Sequence, residues 1–531
     1  MTVQNSAAKN ETLGPDSVVG VIGAGTMGVG IAQVAAASGH SVLLFDVIPD
    51  AASTALIRMA GGLDQQVEKG RMTPEQRDAL LANIQVIDTL LQMAPAQLVI
   101  EAVVERLEVK QQIFSELECI CGAQVILASN TSSISLTAIG SGLQRPQQLV
   151  GMHFFNPAPV MKLVEVISGL ETDPQVAEHI YQLAECWGKR AVHARSTPGF
   201  IVNRVARPFY AEALRVLQEG GADIATIDAL LKGAGGFRMG PFELMDLIGH
   251  DINYAVTCSV FAAYYQDPRF QPSLIQQELV SAGHLGRKSE RGFYDYRPGA
   301  ERLPIKLADP QSAPDRISIE GDLNAIAGLI ARFELAGIEV CTVQADDQDS
   351  GKNDGALIRA GSALLVLCNG ELSSARAARS GERNVIQFDL ALDYATATQM
   401  ALAPADQADA GSIELAVGLF QAAGFGVSVI DDIPGMVVMR TVCMLANEGF
   451  DAVNQRVCSE AAVDIAMQSG VNYPQGPLSW ARSLGLSYCL GVLDSLAAVY
   501  GEDRYRASPL LRRQALSDVV VLRTTSTGET L

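Results

Sequence analysis

An apolar run, SVVGVI at residues 17–22, passes without a break into Gly23-Ala-Gly-Thr-Met-Gly28, and this junction constrains the N-terminal part of the chain more than any other feature. The run predicts a buried strand. The Ala-rich residues 29–38 predict a helix stopped at Gly39, and residues 41–45 a second strand ending in Asp46, 18 residues past Gly28. Strand, glycine turn, helix and strand at this spacing make a βαβ unit of a parallel sheet, in which each glycine has a separate task. Gly23 permits the tight turn, Gly25 lets the backbone approach a pyrophosphate, and Gly28 lets helix pack on strand. The helix start, with Thr26 and Met27, attracts the phosphates. Asp46 would accept bonds from the adenosine ribose and repel a 2′-phosphate, which favours NAD over NADP. Gly23, Gly25, Thr26, Met27, Gly28 and Asp46 are therefore the expected cofactor loop.

The α/β rhythm continues through a helix at about residues 51–69, a strand at 98–104, a helix over 110–119 and a strand at 125–129 that opens into Asn130-Thr-Ser-Ser133. Ligands of open α/β sheets sit at the carboxyl ends of the strands, which is where Glu105 and Ser132 fall. Next come two apolar runs, GMHFF and VMKLVEV, joined by a turn containing Pro157 and Pro159. His153, one of six histidines, is flanked by phenylalanines rather than surface residues, and Glu165 can return to it across the hairpin. A neutral His with a carboxylate behind it is suited to taking an alcohol proton near pH 7 while hydride leaves carbon for a nicotinamide.

Formal charge is −20, with 18% charged and 48% hydrophobic residues, so nucleic acid is not an expected partner and large cores are. No apolar stretch approaches the ~20 residues of a membrane helix. Residues 1–16 have neither a cationic start nor an apolar run and are expected to be a disordered tail without a secretory signal. Nine scattered cysteines suit free thiols in a cytoplasmic protein. Cys119 and Cys121 lack zinc-site spacing, and no metal is expected.

After Thr197-Pro-Gly-Phe the pattern turns helical, over residues 201–218, 224–232 and 241–248. GAGTMGVGIA, VIEAVVE, SNTSS, GMHFFNPAPVMKLVEV, TPGFIVNR and GPFELMD together resemble the L-3-hydroxyacyl-CoA dehydrogenase family of fatty-acid and aromatic-acid oxidation. The resemblance covers about residues 17–297. It implies His153 as general base, Glu165 as its orienting partner, Ser132 on the substrate oxygen and Asn203 at the acyl carbonyl. It further implies NAD contacts at Asp46, Glu105, Lys110, Ser132, Asn156 and Lys288. Lys69 and Ser132 would meet the acyl-CoA substrate, whereas Gly62 stands where some members place a coenzyme A-contacting Ser.

The chain continues beyond one such unit. A shift of 236 residues aligns Pro198-Gly199 with Pro434-Gly435, Arg204 with Arg440, Glu212 with Glu448 and Gly240-Pro241 with Gly476-Pro477. The same register sets Asp389 opposite His153, Leu392 opposite Asn156, Ala401 opposite Glu165 and Met439 opposite Asn203. Upstream, a shift of 298 sets Leu323, Ile326 and Gln344 opposite Gly25, Gly28 and Asp46. The expected fold class is thus α/β, a Rossmann-type NAD-binding domain plus an all-helical C-terminal domain, followed by a degenerate repeat of both. The expected boundaries are 1–16 tail, 17–192 NAD-binding domain, 193–298 helical domain, 299–315 linker, 316–431 degenerate Rossmann-like domain, 432–515 second helical domain and 516–531 tail. The repeat should bind no NAD, and its helical part would replace a dimer partner, a homodimer remaining open. The two-copy layout further resembles bacterial members that act on 3-hydroxyadipyl-CoA in phenylacetate breakdown. A 3-hydroxybutyryl-CoA or general β-oxidation dehydrogenase is the alternative, and a non-enzymatic NAD-binding structural protein the alternative of another class.

Overall fold

The computed structural model describes residues 13–14, 16–321, 326–343 and 356–526 and forms two compact units. The first comprises the chain up to Val202 together with Arg456–Val471; the second comprises Asn203–Gln455 and the chain from Asn472 onward. Most of the expected N-terminal tail, and the counterparts Leu323 and Gln344, lie outside the described residues.

The first unit is built on eight strands, β1 (Val19–Ile22), β2 (Val42–Phe45), β3 (Ile84–Val86), β4 (Leu98–Glu101), β5 (Ile126–Ser129), β6 (Leu149–Phe154), β7 (Leu163–Ser168) and β8 (Arg190–Arg195). They lie in the order β3-β2-β1-β4-β5-β6-β7-β8. The first six are parallel and show the doubly wound dinucleotide-binding order, and β7 reverses direction through the hairpin from β6. Val, Ile and Leu fill these strands on both faces, as they must where crossover helices cover both sides. Strand β8 carries the sheet to Arg195, past the boundary expected at residue 192. The helix Glu460–Val471 packs across β7 and β8, close enough that a Cβ on Gly470 would lie 2.5 Å from a Leu163 methyl. Its lead-in is fixed by the Arg195 N–H donating to the Val457 carbonyl at 2.8 Å.

In the second unit a seven-stranded sheet has the order β10-β9-β11-β12-β13-β14-β15. Its strands are β9 (Arg316–Glu320), β10 (Glu339–Val343), β11 (Leu357–Ala360), β12 (Ala363–Leu367), β13 (Val385–Phe388), β14 (Gln399–Pro404) and β15 (Gly426–Val429). β14 begins 236 residues after β7, and β15 begins 236 after β8. What has changed is the middle: β11 is antiparallel to both neighbours, where β4 of the first sheet is parallel to both of its own. A tight hairpin has replaced a crossover, so the strand end and helix that carry Glu105 and Lys110 in the first copy have no equivalent. Residues 301–314, expected as a linker, have no regular structure but are held along this sheet. The Ala308 N–H donates to the Val427 carbonyl at 2.8 Å, and the Ser428 hydroxyl to the Lys306 carbonyl at 2.7 Å.

The helical parts meet through the pair Arg207–Gln218 and Val438–Asn454. Pro208, which lacks an N–H, separates Val202–Val205 from Arg207–Gln218; its counterpart Met444 leaves the second copy continuous. Across this pair the buried Arg204 bonds Glu448 at 2.6 Å and Arg440 bonds Glu212 at 2.8 Å, so the two aligned Arg–Glu sets cross over. The helix Ile224–Gly233 of the first copy packs on β14, as Glu460–Val471 of the second packs on β7. The last helix runs Pro509–Ser526, so residues expected as a tail from 516 are helical as far as they are described. Among the described residues no single helix is long and apolar enough to cross a membrane.

Asp389 is fully buried and shows what the second copy retained. Its carboxylate accepts the N–H groups of Val437 (3.0 Å), Val438 (2.8 Å), Met439 (2.9 Å) and Leu390 (2.8 Å). Burial pushes its pKa up to about 6 against those donors. Asp389→Ala is expected to remove ~3–5 kcal/mol from the second unit, because several buried amides lose their acceptor together. Urea unfolding of the full chain measures it, with Asp389→Asn intermediate.

Candidate active site

At the end of β1, Gly23 sits at φ +102°, and a Cβ there would come to 2.5 Å from the Ala102 carbonyl oxygen. A Cβ on Gly28 would lie 1.8 Å from the Gly23 carbonyl oxygen. Both turn and packing therefore require glycine. Gly25 differs: its backbone is extended, and a Cβ would meet nothing within 4 Å. It opens space at the start of the helix Thr26–Ala37, whose first turn, including Thr26 and Met27, has no side-chain cap. Uncapped amides at the positive end of a helix form a phosphate cradle. Asp46 follows β2, with one carboxylate oxygen on the Ala24 N–H at 2.6 Å and the other on the Ile48 N–H at 2.9 Å. Fixed in this way, its remaining lone pairs suit ribose hydroxyls. These residues fit a nicotinamide dinucleotide.

A second set lies at the ends of β4 and β5. Glu105 accepts the Thr131 hydroxyl at 2.6 Å, the amides of Ser132 at 3.0 Å and Ser133 at 3.1 Å, and the Ser133 hydroxyl at 3.0 Å. Lys110, in the helix Leu107–Ile120, is 1% exposed. Its ammonium rests on Glu101 at 2.6 Å and Glu105 at 3.2 Å. Lys110 thus stands behind the surface and positions Glu105. The Ser132 hydroxyl lies 3.5 Å from Glu105, at the limit of a hydrogen bond, and is left for other partners. Burial pushes the Glu105 carboxyl up, but the Lys110 charge and the Thr131 and Ser133 hydroxyls outweigh this and hold it below the usual range. Sequence reasoning missed Glu101, whose other oxygen takes the Ser129 hydroxyl at 2.7 Å. The available signal was an acid at a strand end with a lysine on the following helix. It also missed Asn130, which accepts the Phe154 N–H at 2.8 Å and ties this loop to β6.

The third set is the hairpin. Its antiparallel register places His153 directly opposite Glu165. His153 Nδ1 and Glu165 Oε2 are 2.7 Å apart, with Glu165 fully buried. Glu165 Oε1 accepts the amides of Ile201 at 3.0 Å and Val202 at 2.9 Å, where the next helix begins. A carboxylate bound in this way accepts from Nδ1–H, which fixes the tautomer with Nε2 as the basic nitrogen. The rings of Phe155 and Phe200 lie 4.5 and 5.8 Å from the imidazole and keep its surroundings apolar. Lys189 pins the turn through the carbonyls of Ala158 at 2.5 Å and Met161 at 2.9 Å.

Cofactor loop, Glu105–Lys110–Ser132 cluster and His–Glu pair therefore all stand at the carboxyl ends of β1, β2, β4, β5 and β6 of one sheet. Asn156 is exposed in the hairpin turn. Lys69 is exposed at the end of the helix Ala51–Glu68, and Gly62 on that helix faces open space. Asn203 and Lys288 belong to the second unit. The Asn203 carbonyl accepts from Arg207 at 2.8 Å, and the Lys288 ammonium is paired with Asp251. Among the described residues no group of three or more His, Cys, Asp or Glu could hold a metal ion.

The depressed Glu105 pKa carries a sign. Its contribution to loop stability is complete above the ordinary carboxylate value of ~4.3 and is lost as pH falls through the lower folded value. Amide exchange at Ser132 and Ser133, corrected for intrinsic rates, should lose protection below about pH 4.

Comparison with known proteins places these features. The family model described as 3-hydroxyacyl-CoA dehydrogenase, NAD binding domain, matches residues 18–197. The C-terminal domain model of the same family matches twice, at 199–296 and 435–524. A 3-hydroxybutyryl-CoA dehydrogenase reduced Rossmann-fold domain matches 365–434. The chain is 43% identical over 498 residues to 3-hydroxyadipyl-CoA dehydrogenase of Escherichia coli, covering 94% of this chain and 97% of that one. It is 43% identical over 276 residues to a probable 3-hydroxybutyryl-CoA dehydrogenase of Bacillus subtilis, covering 52% of this chain and 96% of the relative. A crystal structure of 3-hydroxybutyryl-CoA dehydrogenase from Escherichia coli superposes with a TM-score of 0.86 at 42% identity, covering 95% of this chain and 99% of that one.

Proposed function

The chain belongs to the 3-hydroxyacyl-CoA dehydrogenase family, as an NAD-dependent oxidoreductase, and within it we propose that the substrate is 3-hydroxyadipyl-CoA, oxidised to the 3-ketone in phenylacetate breakdown. The observation that carries the chemistry is the 2.7 Å His153–Glu165 contact, with Glu165 already anchored on two backbone amides. NAD supplies the hydride acceptor. His153 Nε2 takes the hydroxyl proton, and the imidazolium that forms is stabilised by the buried carboxylate on its Nδ1 side. Ser132 orients the reacting oxygen, Asn203 the acyl carbonyl, and Lys69 the coenzyme A phosphates, while Asn156 and Lys288 extend the cofactor contacts. Similarity to the Escherichia coli 3-hydroxyadipyl-CoA dehydrogenase runs through both copies, which supports the dicarboxylic acyl chain. The 3-hydroxybutyryl name of the superposing structure supports the alternative. A non-enzymatic role would account for Glu165 as an acceptor for the Ile201 and Val202 amides but would leave the imidazole held against it without a purpose.

The second copy stands in for a twin subunit. The crossed Arg204–Glu448 and Arg440–Glu212 pairs support this, because each helical copy supplies the counter-charge for the other. Cytoplasmic location is part of the same reading.

His153→Gln is expected to lower kcat by at least ~10²–10⁴-fold while NAD binding is kept. NADH consumption with acetoacetyl-CoA and a fluorescence titration of NADH measure the two; a near-normal rate overturns the assignment. Relative turnover of 3-hydroxyadipyl-CoA and 3-hydroxybutyryl-CoA separates the two substrate readings. A chain ending at residue 300 should aggregate through exposed helix surface, and a soluble, active fragment overturns the twin-subunit reading.

A further inference from the structure

The second unit contains a cavity of about 260 Å³ framed by Arg207, Arg215, Arg269, Arg504, Ser273 and Glu502. Four guanidiniums around one lining carboxylate are unexpected in a chain of net charge −20. At ~30 Å³ per water in the liquid, the space accommodates several waters or a small organic anion.

The charges around it do not balance. Arg215 is paired with Glu502 at 3.0 Å. Arg269 reaches Asp451 at 3.0 Å and Glu448 at 3.4 Å, both of which it shares with Arg204. Among the described residues Arg504 has one carboxylate within salt-bridge distance, Glu502 at 3.7 Å, with Glu212 acting on it from farther away. Arg207 has no carboxylate within salt-bridge distance among the described residues. Its Nε donates to the Asn203 carbonyl at 2.8 Å and its Nη1 to the Thr257 hydroxyl at 3.0 Å, and its face lies on Tyr210. Arg204, Arg215, Arg269 and Arg504 thus share three carboxylates at salt-bridge distance, and Arg207 has none. Among four basic residues of the first helical domain, Arg204, Arg207, Lys232 and Arg238, Arg204 is neutralised by Glu448 and Asp451, Lys232 by Glu243 at 2.6 Å, and Arg238 is exposed. Arg207 is the buried one left over.

Donors are also unused. Arg269 and Arg504 are 4% and 5% exposed, and the Nε of each has no hydrogen-bond partner; the buried Ser273 hydroxyl oxygen is likewise unpartnered. Burial lowers the Arg207 pKa, with Tyr210 and Tyr473 partly restoring it, and burial lowers that of Arg504 as well. A buried, under-compensated cation with orphaned N–H groups is stabilised by any anion that enters beside it. The guanidinium fork matches a carboxylate or phosphate in two parallel bonds, which a spherical anion cannot reproduce.

We infer that this cavity is an oxyanion-binding site whose ligand is a carboxylate, held by Arg207, Arg504 and the Ser273 hydroxyl. The ligand is a small dicarboxylate taken from solution; the free end of a dicarboxylic acyl chain, which rests on the substrate reading above, is the other source that the kinetics below distinguish.

Calorimetric titration of the full chain with adipate, phosphate and chloride tests the site without any turnover. Adipate is expected to bind with chloride silent, and Arg504→Met and Ser273→Ala to weaken it at least tenfold and about threefold. Arg504→Lys serves where Arg504→Met fails to fold by circular dichroism. Kinetics assign the source. If the acyl chain supplies the carboxylate, the variants raise KM for 3-hydroxyadipyl-CoA relative to 3-hydroxybutyryl-CoA at least tenfold. If a free anion does, the KM ratio stays fixed while adipate binding falls. Phosphate binding more tightly than adipate, or no titration together with an unchanged KM ratio, overturns the inference. Absence of turnover on both acyl-CoAs with adipate binding intact overturns the substrate reading and leaves the site standing.

Discussion

Everything at the His153 end of the first sheet depends on one carboxylate serving two customers. Glu165 caps the amides of Ile201 and Val202 with one oxygen and orients the imidazole with the other. Removing a carboxylate fully from water carries a large desolvation cost, and three short charge-assisted bonds, each worth about 1.5–3 kcal/mol, are what make the position tenable. The same group therefore links strand register, helix start and the tautomer of a base. A one-residue slip of β7 would turn Glu165 to the opposite face and break all three at once.

The second copy separates these roles. Its corresponding helix start, at Val437 and Val438, still needs an acceptor, because the first amides of a helix have none of their own. Asp389 supplies it from the strand position of the base, while the position of Glu165 has become the buried Ala401. The preceding turns match too: Gly199 and Gly435 have φ of +75° and +74°, and Phe200 and Met436 have +46° and +50°. Architecture is conserved where backbone donors demand it, and side-chain chemistry is dropped where they do not.

How much was legible follows from how local each signal is. The glycine loop, Asp46 and the His153–Glu165 hairpin are read within about 30 residues, and the structure puts them where period and spacing place them. The repeat was legible because its breakers, PG and GP, sit at turns that tolerate little else; β14 and β15 keep the 236-residue shift. Glu101 was not legible, since an acid closing an apolar strand resembles any strand end. Nor was the capping role of Asp389, because the sequence comparison registers a lost histidine and cannot register an acquired acceptor. The partners of Arg204 lie 244 and 247 residues away, and ion pairs at that separation leave no local pattern.

The helix Glu460–Val471 belongs to the first compact unit although more than 250 residues separate it from Val202. During synthesis from the N-terminus, β7 and β8 must wait for this helix with the surface it covers open to water, while the whole second sheet is being made. The first unit is begun first and finished nearly last. Chaperone demand should then centre on that waiting surface, and the long interval between synthesis of residues 195 and 456 becomes a property of the fold as much as of the ribosome.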